Sequence, residues 1–211
     1  MNKKTMRERV ARKGQEVAFA ANLNFATYDI VSKAPVVFSI LSTVVGILGL
    51  VYPIFQVTGI SVCLMSLGVV MMYVERYPAE EYGQRAKQTL ALLEKLESLY
   101  YRVDAKAVPA KVPAEEKDLT DLDFSYEEAE LAVIEQRFLD SSCTKQILMA
   151  TWYATYKLYA EKRYAWIEEE LKPRFWKDKM PATAKILLIA LVVVAVVLAV
   201  VNWRWIANIF Q

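Results

Sequence analysis

Charged residues disappear from the chain between Lys33 and Glu75. The apolar stretch Ala34–Val74 is too long for one helical crossing of a bilayer and long enough for two, since one crossing takes roughly 20 residues. Near its middle, Tyr52-Pro53 interrupts the helical pattern, because proline lacks an N–H and clashes with the preceding turn. The pattern predicts a transmembrane hairpin: a helix over Ala34–Leu50, a turn over Val51–Gln56 and a helix over Val57–Val74. The turn carries no charge, so moving it across a bilayer is cheap.

Both hairpin helices carry a row of small or hydroxyl residues. The first has Ser39, Ser42, Thr43, Gly46 and Gly49, and the second has Gly59, Cys63 and Ser66. Steps of three and four put each row on one helical face. Small residues let helix backbones approach closely in lipid. Such faces either close the hairpin on itself or line a pathway or oligomer seam. The span contains no ionisable residue, the usual mark of an ion or proton route.

The flanking segments read differently. Residues 1–33 are basic, with Lys3, Lys4, Arg7, Arg9, Arg12 and Lys13 against few acids. A helix is expected over Val17–Tyr28, lying beside the membrane as a juxtamembrane element. Residues 75–185 hold most of the charge and form the aqueous domain. Within it, Leu92, Leu96, Leu99 and Val103 recur in steps of four and three, a short coiled-coil-like row suited to self-association or to packing within the chain. Pro109, Pro113 and a run of acids mark a linker over 108–123. Ser125 with Glu128 three residues on is a capping-box signature for a helix reaching Leu139. A longer helix is expected over Thr144–Leu171, with Trp152, Tyr156, Tyr159, Arg163 and Trp166 along one face. That stripe serves either helix packing or the stacking of a ligand base or partner. A third apolar run, 186–203, follows a cluster of lysines and arginines and ends near Trp203 and Trp205, as at an interfacial aromatic belt.

Composition narrows the chemistry. The chain has 211 residues and no histidine, which removes imidazole-based catalysis, His-ligated metals and His-ligated haem. The two cysteines, Cys63 and Cys143, suggest no disulfide framework. No glycine-rich phosphate loop occurs. No catalytic residue, cofactor, metal or nucleic-acid partner is expected. The Lys/Arg distribution places the N-terminus and the 75–185 domain in the cytoplasm, with the hairpin turn and the C-terminus outside. The fold class expected is an all-α, multi-pass integral protein of the inner or cell membrane, with three crossings.

The order of parts resembles the SLATT domain. The likeness runs from Arg12 to about Val103: a basic helix with Arg12-Lys13-Gly14 and Ala20-Ala21-Asn22, a membrane helix with Phe38-Ser39-Ile40-Leu41-Ser42, a second with Ser66, and a helix beginning Tyr82-Gly83-Gln84-Arg85-Ala86. A similar layout occurs among cyclic-pyrimidine-activated membrane effectors. The resemblance implies a non-enzymatic, pore-forming or membrane-perturbing effector, oligomeric and set beside bacterial nucleotide-signalling or antiphage genes. Its implied partners are the lipid bilayer, further copies of itself, and a nucleotide second messenger or sensor protein. The alternative is a structural membrane subunit that docks a partner through its cytosolic helices.

Overall fold

A single helix, α1, runs from Lys3 to Val51, 49 residues in one element, in the computed structural model of the protein. The structure describes residues 1–107, 121–141, 145–147, 149–161, 164–174, 180, 183–186 and 188–196. The side chain of Asn2 starts α1 by accepting a hydrogen bond from the Thr5 amide at 2.7 Å, an N-cap that satisfies one orphan donor. Sequence reasoning separated a helix at 17–28 from one at 34–50, but nothing between them stops the helix. Pro35 cannot donate to the Val31 carbonyl, and α1 passes through it. The Lys33 ammonium reaches back to Asp29 at 2.8 Å, an i,i+4 pair that spans the expected gap. The end of the charged segment is thus a change of solvent rather than a helix boundary.

The rest of the hairpin follows the pattern closely. A short 3-10 turn occupies Pro53–Gln56, and α2 covers Thr58–Val74. Gln56 donates its side-chain amide to the Gly49 carbonyl at 2.7 Å, tying the turn to the end of α1. After a turn at Glu75-Arg76 and a bend at Tyr77, α3 spans Ala79–Ala105. Helix α4 spans Ser125–Ser141. It begins where the capping box placed it, with the Asp123 carboxylate accepting from the Ser125 amide at 3.0 Å.

The N-terminal half of α1 is the spine of a helical bundle. Met6, Val10, Gly14, Val17, Ala18 and Ala21 repeat in steps of three and four and are buried. Met6, Val10, Val17 and Ala18 share one core with Leu92, Leu96, Leu99 and Val103 of α3, Leu131 and Ile134 of α4, and Trp166 and Ile167. Several basic residues of the first turns pair with acids of the bundle. Arg7 pairs with Asp104 at 2.7 Å and with Glu170 at 3.3 Å, and Arg9 with Glu128 at 3.8 Å. The segment expected beside the membrane is also part of the folded bundle.

The expected long helix over 144–171 is broken. Helix α5 covers only Ala150–Tyr156, a π-helical segment follows at Lys157–Glu161, and α6 covers Ala165–Leu171. Met149 precedes α5 in the left-handed region with φ 71. Among the described residues there is no strand beyond an isolated bridge between Asn2 and Asp121. The chain divides into two compact units, Met1–Lys172 and Pro173–Gln211. In the second, Thr183–Val196 forms an apolar helix. Residues 108–120 of the 108–123 linker, Cys143, Arg163 and the remainder of the 186–203 run lie outside the described residues.

Candidate functional site

The site lies where α1 leaves the bundle. Up to Val31 its core-facing side chains are buried; from Val36 onward they face out, with Val36 58% and Leu50 85% exposed. Ion pairs gather at this transition. The Lys157 ammonium, at the start of the π-helical segment, lies 2.5 Å from one Asp29 carboxylate oxygen, and Lys33 lies 2.8 Å from the other. Lys157 also sits over the Tyr153 ring, 4.7 Å from its centroid. Burial by itself would raise the Asp29 carboxyl, but hydrogen bonds and charge from Lys157 and Lys33 outweigh it and hold the group below its usual range. Burial works against the Lys157 ammonium too, and Asp29 again outweighs it, so that group is held above its ordinary value.

A polar layer lies within about one and a half turns on the N-terminal side, at Asn24 and Thr27. Thr27 donates to the Gln146 side-chain oxygen at 2.6 Å, and Gln146 donates to Asn24 at 3.3 Å. Tyr82 of α3 donates its hydroxyl to the Lys145 carbonyl at 2.6 Å. Asn24 and Thr27 are buried, so these bonds satisfy groups that would otherwise be costly in a core. The layer anchors the segment leading into α5. Together with the Asp29 pairs, it fastens α5 to the stretch of α1 that becomes the hairpin.

On the far side of Asp29 an open cleft of about 410 Å³ runs between α1 and α2. Val37, Phe38, Leu41, Leu67 and Met71 line it, with Asp29, Lys33 and Tyr153 at one end. The hairpin closes at this level: Phe38 packs on Gly68, where an added Cβ would lie 3.7 Å from the ring.

The residues expected to form sites are distributed otherwise. The small-residue rows do not close the hairpin. Gly46 and Gly59 have no heavy atom within 4 Å of an added Cβ, and Ser39, Thr43, Cys63 and Ser66 are exposed. Ser42 and Thr43 bond back to carbonyls of their own helix, as Ser66 does, and Gly49 approaches only Phe55 of the turn. The packing glycine is Gly68, which the spacing argument left out. The row Leu92, Leu96, Leu99 and Val103 is buried in the chain's own core rather than offered as a seam. The aromatic stripe does not share one face either. Trp166 is buried beside Tyr100, and Tyr159 packs on the same core and accepts from Gln15. Trp152 is half-buried and Tyr156 is exposed. The break in the helix at Lys157–Glu161 separates the two groups.

Sequence gives Tyr153 and Lys157 as part of an aromatic helix, with Lys157 a candidate phosphate contact, but does not join them to Asp29 and Lys33. The available signal was an Asp-x-x-x-Lys pair in the last turn before a charge-free run. The family model for the SMODS and SLOG-associating 2TM effector domain 6 matches residues 1–188. The chain belongs to this SLATT family. The match extends past the Arg12–Val103 likeness on both sides and takes in α4, α5 and α6. No curated protein and no solved structure matches the chain. Among the described residues of this SLATT protein, α1 is the one helix long and apolar enough to cross a membrane alone. Helix α2 has 17 residues and passes the same test only together with α3, from which it is bent by 59°. Family and apolar helix together assign the protein to a membrane as an effector.

Proposed function

We propose that this protein is a non-enzymatic membrane effector in which the cytosolic bundle sets the state of the α1–α2 hairpin. The observation that carries this reading is the continuity of α1. Its first half is the spine of the bundle core and its second half is the exposed apolar arm of the hairpin. The helix stays continuous through Pro35, so a displacement of its bundle end is carried to the apolar end. The fastening of α5 to Asp29 and Thr27 gives a signal arriving at the cytosolic surface a direct hold on that helix.

The hairpin enters and leaves on one side, because α1 and α3 pack together in the bundle while the Pro53–Gln56 turn lies at the other end. With the Lys/Arg distribution, this supports a cytoplasmic N-terminus and bundle and an outer turn. A third crossing over 186–203 would place the C-terminus outside; the described helix Thr183–Val196 is shorter than the roughly 20 residues of a full span. A hairpin without charge can only border a conducting path, so several copies arranged by symmetry are needed to perturb or open the bilayer. The family's association with nucleotide signalling supports a role in a bacterial antiphage system, triggered by a nucleotide second messenger or a sensor protein.

The test is induced expression with a membrane-potential dye, alone and beside its genomic neighbours, for the native chain and for Ser32→Pro. Proline at 32 removes the backbone bond to the Tyr28 carbonyl, so that, with the bond Pro35 already lacks, the junction of the two halves of α1 loses a second bond and is loosened. Depolarisation by the native chain and its loss in a Ser32→Pro protein that still inserts is the expected result. Depolarisation unchanged by Ser32→Pro would overturn the coupling, and an unperturbed potential in every setting would favour a docking subunit.

A further inference from the structure

We propose that the cleft between α1 and α2 is a binding site for an anionic phospholipid, with an acyl chain along Phe38, Leu41 and Leu67 and the headgroup on Lys33. The inference goes beyond the effector reading and rests on the hairpin lying in a bilayer.

Shape and chemistry agree on this occupant. The walls of the cleft are almost wholly apolar, and its polar groups are confined to one end. Its volume of about 410 Å³ lies in the range of small-ligand sites. An apolar channel with a polar mouth suits an amphiphile and does not suit a free nucleotide or phosphate, which would need donors along its length.

The charge at the mouth gives the sign of the headgroup. One carboxylate, Asp29, faces two ammonium groups, Lys33 and Lys157. One positive charge is left over within this trio. The two lysines differ in access: the Lys157 side chain is 15% exposed and that of Lys33 is 68% exposed. Lys157 therefore satisfies Asp29 from within, and Lys33 is free to swing toward an anion. Lys33 is also the last charged residue before the apolar run, which puts it at headgroup depth, where a lysine extends its ammonium to the interface. The cytoplasmic leaflet, where the topology sets this end of the hairpin, carries the anionic lipids.

The experiment uses the full chain, purified in mild detergent and reconstituted into nanodiscs of mixed phosphatidylcholine and phosphatidylglycerol. Retained lipid is then identified by native mass spectrometry. Phosphatidylglycerol is expected to be enriched over the bulk mixture. Lys33→Gln should lower that enrichment about fivefold, the scale of one lysine at a membrane surface, and Lys33→Arg should keep it. Lys33→Gln leaves the Asp29–Lys157 pair in place, so the bundle stays folded. Val37→Trp, which fills the cleft, should lower retention of both lipids. Excess inorganic phosphate should displace nothing. Equal retention of the two lipids, an enrichment indifferent to Lys33→Gln, or displacement by phosphate would each overturn the proposal while leaving the hairpin's membrane insertion intact. Retention of no lipid at all would overturn both.

Discussion

Gly14 of α1 faces the indole of Trp166 in α6, so closely that a Cβ at Gly14 would overlap the ring. The contact draws α6 against the spine of the bundle. Trp166 is 2% exposed, and its indole N–H has no hydrogen-bond acceptor among the described residues. A buried donor without a partner costs about 1–3 kcal/mol, so the packing of this ring must outweigh that loss.

Gly14→Ala should therefore destabilise the protein, although alanine is favoured over glycine in a helix by roughly 0.5–1 kcal/mol. Overpacking costs about 1–3 kcal/mol and exceeds that gain. Thermal unfolding should show a fall of the order of 2–4 °C for each kcal/mol of net loss. Adding Trp166→Phe makes room for the new methyl group and should recover part of the fall. A Gly14→Ala protein as stable as the native chain would mean that the bundle opens here at little cost.

The Asp29–Lys157 pair gives a pH-dependent prediction with a definite sign. Asp29 is held below its ordinary value, so its contribution is present above about pH 4, the unfolded value, and fades as pH falls through the folded one. Lys157 is held above its ordinary value, so its contribution is present below about pH 10.4 and fades as pH rises through the folded one. The fastening is thus complete at neutral pH. Protection of α5 amides from hydrogen exchange, taken relative to their intrinsic exchange rate at each pH, should fall below about pH 4 in the native chain and at neutral pH in Asp29→Asn. Lys157→Met should lower it as well, because Lys33 lies on α1 with Asp29 and cannot hold α5. Exchange of α5 that is indifferent to both substitutions would show that the polar layer at Thr27 and Gln146 holds α5 unaided.

How much of this could be read from the chain follows from what each signal reports. The absence of charge over 34–74 and the Tyr52-Pro53 interruption depend on local chemistry, and the hairpin turn and α2 fall where those signals put them. The leucine row of α3 reports burial but not the burying surface, and the partner is α1, far away in sequence. The small-residue rows report helical faces, but which face meets α2 is decided by how the bundle aims α1, and that turned out to be the face of Phe38 opposite Gly68. No glycine or proline lies between Ala150 and Leu171, so nothing local signals the π-helical break that divides the aromatic stripe.

The hairpin contact leads to a comparison of two glycines. Gly68→Leu should push Phe38 away and separate α1 from α2, since the ring already lies within van der Waals reach of a bare Cβ. Gly46→Leu should be accommodated, because that position is open. A disulfide cross-linking assay between cysteines placed at Leu41 and Leu67, in a Cys63→Ser, Cys143→Ser background, would report the hairpin gap. Equal yields for the two leucine variants would remove Gly68 as the closing contact.

Leu96 decides whether the α3 row belongs to one chain or to several. It is fully buried in a core with Met6 and Val10 of α1 and Leu131 of α4. Leu96→Ala removes buried methyl groups and leaves a cavity, a change that costs about 2–5 kcal/mol. Leu96→Glu adds an unpaired carboxylate to the same place, where a buried charge without a partner is not tolerated. The expected result is a bundle that trypsin digests at its many Lys and Arg residues, whatever the size of the assembly in detergent. Ala91→Glu, on the exposed face of the same helix, serves as the control and should leave digestion unchanged. If the row instead joined separate chains, Leu96→Glu would yield a protease-resistant bundle in a smaller assembly. Limited proteolysis beside a mass measurement on the same sample separates the two. A resistant Leu96→Glu protein would return the row to an intermolecular role and force the α1–α3 packing to be redrawn.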